Sequence, residues 1–216
     1  MADTYTMFWS HDRCIALRQL GGLGKPLDVL FGGPHTSEPS FVRAGVHPGD
    51  VVYPIAVKEG VLYVLGCVRV ARILSLEDYI AAHSELFAPY LAHPPAWFVE
   101  LKEARRVPDF DFRQATDAFD RYRKAHPEMR YLAPTCTDGA VECDKGTPLR
   151  LDVAVPPDLL LRLRYRSRRS ERDLHKYIRD GRLVQSLGVQ GIYRLSELSA
   201  HEVAALVASM PRAAIA

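Results

Sequence analysis

Two runs of β-forming residues joined by a short turn constrain the fold of this chain most strongly. The runs cover residues 51–57 and 61–70, and the connection at 58–60 ends in the glycine that suits a hairpin. Apolar or aromatic side chains recur at every second position of both runs, beginning with Val51 and Val61. Because successive side chains of a strand point to opposite faces, the pattern predicts a hairpin with one buried face.

The chain before this hairpin is predicted to begin with a strand and a short helix. Residues 4–10 place Tyr5, Met7 and Trp9 on one strand face. Residues 11–19 are predicted to form a helix, because glycines follow directly and commonly end helices.

Several stretches of this first third resemble a known superfamily. A strand ends in Phe8-Trp9-Ser10, a polar loop follows, and then come Phe41-Val42-Arg43 and the run from Val46 to Tyr53 with Gly49-Asp50 inside it. This arrangement resembles the PUA-like superfamily, and within it the EVE, YTH and ASCH domains. The resemblance implies an α+β fold, a PUA-like mixed β-barrel flanked by helices, with a C-terminal β/α elaboration.

The chain of 216 residues is expected to form a single PUA-like domain over residues 1–212. Its core barrel is expected at about 1–75 together with strands from 131–195, and residues 76–127 are expected to be a helical insertion. Extended segments are predicted at 131–135 and 148–155, joined through turns at Asp138-Gly139 and Lys145-Gly146.

The last third is predicted to mix strands and helices. Residues 159–165 alternate leucine or tyrosine with arginine, which indicates an amphipathic strand, although a helix starting after Pro157 fits nearly as well. The remaining predicted elements are a helix at 170–180 capped by Ser170, a strand at 191–195, and a closing helix at 200–210 whose capping box is Ser199 with Glu202.

The family resemblance implies a base-binding pocket beside the first strand. In EVE- and YTH-like domains aromatic or apolar side chains hold a base, often a modified one, while polar groups read its edge. Trp9 stands at the matching strand end for stacking, although a core role for this aromatic is an equal alternative. Edge recognition is expected from Ser10 and from the loop residues Gly32, Gly33, His35 and Thr36, which otherwise form a plain connecting loop.

A basic segment covers residues 161–194. Its nine arginines and one lysine oppose three acidic residues, a net charge of +7, so the rest of the chain carries −5 of the total of +2. Such a surface favours a polyanion, with phosphate contacts expected from Arg166, Arg168, Arg169 and Lys176. The alternative is that Glu171, Asp173 and Asp180 pair with these cations at helical spacing.

Recognisable catalytic and metal-binding motifs are absent from the sequence. No P-loop, nucleophile elbow or zinc-protease motif occurs, and the cysteines at 14, 67, 136 and 143 lack the further ligands of a usual zinc site. We therefore expect no metal and no cofactor. No apolar run is long enough for a membrane span, and no signal peptide is recognised, so a cytoplasmic protein without a membrane partner is expected.

The sequence thus predicts a nucleic-acid-binding module with a pocket for one base, plain or modified, and leaves the choice between RNA and DNA open. One alternative, implied by the ASCH resemblance, is a metal-independent ribonuclease that uses Lys58, Tyr53 or Tyr63. Another is a small-ligand or protein-interaction domain whose basic segment meets an acidic partner.

Overall fold

The computed structural model describes residues 2–19, 21–32, 40–75, 78–79, 82, 139–167 and 169–209. The predicted helical insertion at 76–127 lies outside these residues, apart from residues 78–79 and 82, which are helical. The extended segment predicted at 131–135 also lies outside them. So do Gly33, His35, Thr36 and Arg168 of the predicted site.

The strands and helices follow one another in an alternation that is richer in strands than in helices. Up to residue 146 they are β1 (Thr4–Phe8), α1 (His11–Gln19), β2 (Val29–Gly32), α2 (Phe41–Ala44), β3 (Val51–Lys58), β4 (Val61–Val64), β5 (Val68–Leu74) and β6 (Gly139–Gly146). They continue as α3 (Pro157–Arg162), β7 (Arg164–Arg166), β8 (Glu171–Asp173), a 3₁₀ turn (His175–Tyr177), β9 (Ile178–Arg179), β10 (Arg182–Leu183), a second 3₁₀ turn (Ser186–Gly188), β11 (Ile192–Arg194) and α4 (Glu197–Ala208).

Seven of these strands form one mixed sheet. Its order is β11, β1, β3, β5, β6, β2, and β4 also pairs with β3. β1 runs parallel to β3, whereas the other neighbouring pairs are antiparallel. The first and last strands in this order, β11 and β2, do not pair with each other, so within the described residues the sheet does not close. The α+β class is confirmed, and the PUA-like barrel stays a prediction.

The predicted hairpin is confirmed, but its single buried face was wrong, because both faces of β3 are buried and in β4 the buried residues are Leu62 and Val64. β3 and β4 pair antiparallel with Lys58 opposite Val61, which leaves Glu59 and Gly60 as a two-residue turn. Both turn residues have positive φ, 52° and 77°, as a type I′ hairpin turn requires. The second predicted run is not one strand, however, because it breaks after Val64 and resumes at Val68.

This break lies where the segment after β6 runs beside residues 65–67, with the N–H of Thr147 donating to the Cys67 carbonyl and that of Arg150 to the Leu65 carbonyl, both at 2.8 Å. A side chain at Gly66 would meet Thr147 and Leu149 at 3.3–3.4 Å. The N–H of Cys67 donates to the Thr147 hydroxyl at 2.8 Å instead of to a neighbouring strand. Consequently β4 and β5 pair in turn with two different parts of β3.

The turn predicted at Lys145-Gly146 was wrong, and the one predicted at Asp138-Gly139 lies partly outside the described residues. Gly139–Gly146 is a continuous strand that lies between β2 and β5. Gly146 is needed for a close approach, because a Cβ there would lie 2.5 Å from the Leu27 carbonyl oxygen. Residues 148–155 were expected to be extended; they form no continuous strand but lie beside β4, where the N–H groups of Arg150 and Val155 donate to the Leu65 and Leu62 carbonyls at 2.8 Å.

Asp50, the acidic residue of the Gly-Asp pair, fixes the entry into β3. Its carboxylate accepts hydrogen bonds from the backbone N–H groups of Asp3 at 2.7 Å and His47 at 2.8 Å. Asp50 is buried, so these bonds satisfy a group that would otherwise be costly to bury. The resemblance motif thus has a structural role that ties the start of β1 to the loop before β3.

Two hydrophobic clusters cover the two faces of the sheet. Tyr5, Met7 and Trp9 belong to the first cluster, as their predicted common face requires. Phe8 belongs to the second cluster, which also contains Tyr165. Successive side chains of β1 therefore belong to different clusters. The C-terminal elements pack mainly on the second cluster.

The C-terminal third differs from its prediction in two places. Leu159–Arg162 lies in the helix α3, so the alternative of a helix after Pro157 is correct and the strand begins only at Arg164. The helix predicted at 170–180 was wrong. Leu174 is fully buried there between short strands and a 3₁₀ turn, and tertiary packing overrides the local pattern.

The final strand and the closing helix are confirmed with shifted ends. The helix α4 begins at Glu197, and its N-cap is Ser196, whose hydroxyl accepts from the N–H of Ser199. The Ser199 hydroxyl instead accepts from the N–H of Arg164 at 2.9 Å. The predicted capping serine thus joins α4 to β7.

Candidate nucleic-acid interface

Trp9, the predicted stacking residue, lies directly after β1 in the first hydrophobic cluster. Only 1% of its surface is exposed, and its backbone N–H donates to the Ile55 carbonyl at 2.7 Å. The guanidinium of Arg13 lies 4.9 Å from the ring centroid. In this conformation a base reaches the Trp9 ring only if Arg13 is displaced.

Arg13 joins the described parts of the predicted pocket. Its side chain is 8% exposed and donates to the Phe31 carbonyl at 3.5 Å, beside Gly32 at the end of β2. Trp9, Ser10 and Gly32 are therefore brought together through Arg13, which sequence reasoning missed. Its position three residues into a helix gave no signal for this role.

Ser10 is the N-cap of α1. Its hydroxyl oxygen accepts from the N–H of Arg13 at 3.3 Å, and its carbonyl accepts from Cys14 at 3.2 Å. The hydroxyl retains its own proton for donation. Ser10 is partly exposed, so its structural role leaves one donor available to a ligand.

Four arginines of the basic segment are held by the protein itself. Arg162 pairs with Asp158 and Glu202, and Arg194 pairs with Asp3. Arg164 donates to the carbonyls of Leu161 and Leu163 at 2.9 and 3.0 Å. The fourth is Arg172.

Arg172 lies between two tyrosine rings. Its guanidinium is 4.3 Å from the Tyr193 centroid and 5.3 Å from that of Tyr165, and it donates to the Gly188 carbonyl at 3.0 Å. The Tyr165 hydroxyl lies 3.3 Å from Thr6 on β1. This arginine therefore holds the C-terminal elements against the second face of the sheet and is not free to bind phosphate.

The other described cations of the basic segment are exposed. No acidic group pairs with them among the described residues. Lys176 lies over the Tyr177 ring at 4.8 Å. The exposed set is Arg166, Arg169, Lys176, Arg179 and Arg182.

Two of these exposed cations lie at the tip of the β7–β8 hairpin. Arg166 is opposite Glu171, so its charge is partly balanced across the strands. Ser167 accepts from the N–H groups of Arg169 and Ser170 at 3.3 and 3.0 Å, which fixes the turn. The helical pairing of acids and arginines considered above does not form, because the described residues of 170–180 are not an α-helix and none of the exposed cations makes an ion pair there.

Arg179 and Arg182 are register partners across the β9–β10 hairpin. This hairpin packs against the β3–β4 turn, because the N–H of Leu183 donates to the Gly60 carbonyl at 2.8 Å. A Cβ at Gly60 would lie 3.2 Å from the Cβ of Arg182. The exposed arginine pair therefore borders the first hairpin of the chain.

The structure separates the two halves of the predicted site. Trp9 belongs to the cluster on the first face of the sheet, whereas Tyr165, which leads into Arg166, belongs to the cluster on the second face. A nucleic acid that contacts both halves has to pass around the edge of the sheet.

A groove between α1 and the β3–β4 hairpin contains residues of the ribonuclease alternative. Its cavity volume is about 40 Å³, and no carboxylate is among its described lining residues. Lys58 and Tyr63 line it, whereas Tyr53 lies in the opposite cluster. The complete lining is His11, Cys14, Ile15, Arg18, Ala56, Val57, Lys58, Tyr63, Leu65 and Leu151.

Neither the thiol in the groove nor Tyr53 is activated. Burial raises the pKa of Cys14 to about 11, against an opposing effect of Arg13 and Arg18. Burial also raises the pKa of Tyr53, and Cys67 adds to that shift. Both groups are protonated at neutral pH, so neither is a ready nucleophile or base.

The described residues define a mixed α+β protein with an open sheet and a C-terminal basic lobe, namely β7 to β10 with their exposed cations. No protein-family model matches the chain, and no curated protein matches its sequence. In the part of the chain that the structure describes, no helix is long and apolar enough to cross a membrane. No cluster of three or more metal-ligating side chains occurs among the same residues.

Proposed function

We propose that this protein is a PUA-like domain that binds nucleic acid through its C-terminal basic lobe. The observation that carries the proposal is the set of exposed cations without an acidic partner among the described residues, Arg166, Arg169, Lys176, Arg179 and Arg182. Guanidinium groups bind phosphate oxygens bidentately, and exposed ones lose little hydration when they do so.

Base recognition is the second part of the proposal. Ser10, with a hydroxyl proton to donate, accepts from the Arg13 backbone N–H, and the Arg13 guanidinium donates to the carbonyl of Phe31, next to Gly32 at the end of β2. Polar groups at this site recognise the edge of a base, plain or modified. The base stacks on the Trp9 ring only after the Arg13 guanidinium, which covers that ring, has moved away. Binding to phosphates does not depend on this movement.

Fluorescence anisotropy with short single- and double-stranded DNA and RNA at two salt concentrations tests the proposal. Affinity is expected to fall steeply with salt, because bound phosphates release their counterions. Arg166→Gln and Arg169→Gln should each lower the slope of log affinity against log salt by about 1. Arg69→Gln on β5, an exposed arginine outside the lobe, is the matched control. Salt-independent binding, or no binding at low salt, would refute the proposal.

A further inference from the structure

The β9–β10 hairpin has one buried and one exposed face. Its strands pair in register, Arg179 with Arg182 and Ile178 with Leu183. Leu183 is buried in the second hydrophobic cluster, and Ile178 packs against the same cluster. Because successive side chains of a strand point to opposite faces, the two arginines project from the other face. Both arginines are exposed.

The register of this hairpin continues for one more pair beyond the strands. The N–H of Val184 donates to the Tyr177 carbonyl at 2.8 Å, so these two residues lie opposite each other. Val184 stands two positions after Arg182, about 7 Å along an extended chain, and shares its face by alternation. Because Val184 is 52% exposed, the exposed face carries a cationic pair followed by an apolar side chain.

A second exposed apolar side chain follows three residues later. Leu187 is 59% exposed and lies in the second 3₁₀ turn, which packs against the first one. A Cβ at the next residue, Gly188, would clash with the Tyr177 ring, so this ring lies against the second turn. The ammonium of Lys176 lies 4.8 Å from the centroid of the same ring. The exposed apolar side chains are thus accompanied by a third exposed cation.

Positive charge exceeds negative charge on this face. Three cations, Lys176, Arg179 and Arg182, accompany one acid, Asp180 in the hairpin turn, which is an excess of two. None of the four makes an ion pair among the described residues. The β3–β4 turn that borders β10 adds one lysine and one glutamate, so it leaves this excess unchanged.

We propose that this face binds a single-stranded nucleic acid, with a backbone phosphate between the two arginines and a base against Val184 and Leu187. The inference rests on the proposed function and narrows it to unpaired strands. Directly opposite residues of an antiparallel pair have Cβ atoms about 5 Å apart, so the guanidinium groups of Arg179 and Arg182 can both reach one phosphate. Their unneutralised charge complements the charge of the strand.

The exposed apolar side chains select for unpaired bases. In a duplex the faces of the bases are stacked on one another, whereas a single strand leaves them open to a side chain. Proteins that bind single strands combine cations along the backbone with side chains on which the bases stack. Since Val184 and Leu187 have no hydrogen-bonding group in their side chains, the contact is expected to be tolerant of sequence.

Fluorescence anisotropy of the full chain at moderate salt tests this assignment with four probes of equal length. The probes are an oligouridine, an oligodeoxythymidine, a DNA duplex and an abasic strand, which keeps the phosphates and lacks the bases. Both single strands are expected to bind at least about fivefold more tightly than the duplex and the abasic strand, because stacked bases add to the phosphate contacts.

Variants separate the base contact from the phosphate contact. Val184→Ser and Leu187→Ser should each weaken single-strand binding about three- to tenfold, with abasic-strand binding and the salt dependence unchanged. Arg179→Gln should weaken binding of single and abasic strands alike and lower the salt slope by about 1. Val42→Ser, which removes an exposed apolar side chain outside the lobe, is the matched control. Thermal melting should show that the serine variants keep the fold, because the replaced side chains are exposed.

The proposal is overturned if the duplex and the abasic strand bind as tightly as the single strands, or if Val184→Ser and Leu187→Ser bind the single strands as the wild type does. In both cases salt-sensitive binding would remain, and the proposed function would stand. Failure of the proposed function has a different signature, namely no binding of any oligonucleotide at low salt. Binding of polyglutamate in that case, weakened in Val184→Ser, would assign the face to an acidic protein partner and overturn the proposal as well.

Discussion

Arg179 and Arg182 face each other across the β9–β10 hairpin without an ion-pair partner among the described residues. Like charges directly opposite each other destabilise a strand pair. The turn between them is Asp180-Gly181, and both turn residues have positive φ, which fixes the two arginines at the ends of the turn. The repulsion between these two arginines lowers local stability, and proteins keep such unfavourable contacts mainly at functional sites.

Removal of one charge is expected to stabilise the protein and weaken its binding. Arg179→Gln should raise the free energy of unfolding by a fraction of a kcal/mol, and by less at high salt. The same variant should bind single-stranded oligonucleotides several-fold less tightly. Urea denaturation and anisotropy, with Arg69→Gln as the control, measure the two effects. A variant that loses stability and keeps its affinity would contradict the assignment.

Substitution of Arg172 is expected to lower the stability of the protein and to leave its binding of nucleic acid unchanged. Arg172→Ala removes the contacts with Tyr165 and Tyr193 and the hydrogen bond to Gly188, and should lower the free energy of unfolding by about 1–3 kcal/mol. Arg172→Lys keeps the charge without the planar group and should recover only part of this loss. Affinity of the folded fraction should not change.

Substitution of Arg169 provides the comparison, because Arg169 is exposed whereas Arg172 is enclosed by tyrosine rings. Arg169→Ala should change stability by less than about 0.5 kcal/mol, as most exposed substitutions do, while it weakens binding. Equal losses of stability in Arg169→Ala and Arg172→Ala would show that the structure does not distinguish them. Chemical denaturation provides the stability and anisotropy the affinity.

Trp9→Ala is expected to act mainly through the core. Truncation of a buried tryptophan leaves a cavity and should destabilise the fold by about 3–5 kcal/mol. Trp9→Phe retains an aromatic ring and should cost less, with the preference among bases unchanged. If Trp9→Phe kept full stability but lost base discrimination, direct stacking on Trp9 would be the better account.

Stability is expected to fall above about pH 10. Burial raises the pKa of Tyr165 to about 12, and burial together with Asp50 and Asp3 raises that of Tyr5 to about 12. Because the unfolded tyrosines ionise near pH 10, the unfolded chain holds fewer protons than the folded one between pH 10 and 12. Stability due to these groups is therefore complete below pH 10 and is lost as the pH rises to 12.

Tyr165→Phe tests this pH dependence. Denaturation at several pH values should show that the slope above pH 10 becomes less steep by up to about 1.4 kcal/mol per pH unit. The buried Cys14, whose pKa is about 11, adds to the same fall from about pH 9. An unchanged slope in Tyr165→Phe would mean that other groups dominate the alkaline transition.

Much of the local structure could be predicted from neighbouring residues. The strand at 4–10, the helix at 11–19 and the hairpin around Lys58 depend on alternation, glycine and turn geometry within a few positions. Ser10 was placed correctly after the first strand, whereas Gly32 was expected in a connecting loop and is instead the last residue of β2. The role of Arg13 was missed, since its partners lie on separate elements.

The sequence by itself determined the α+β class, the buried faces of β1 and the excess of positive charge, because these depend on periodicity and composition. Tertiary structure alone decided which arginines are available. Arg172 and Arg169 stand three residues apart in one basic segment, yet one is enclosed by tyrosines and the other faces solvent. It also decided that Lys58 shares a groove with Arg18. Such contacts join residues far apart in the chain, and local patterns carry no information about them.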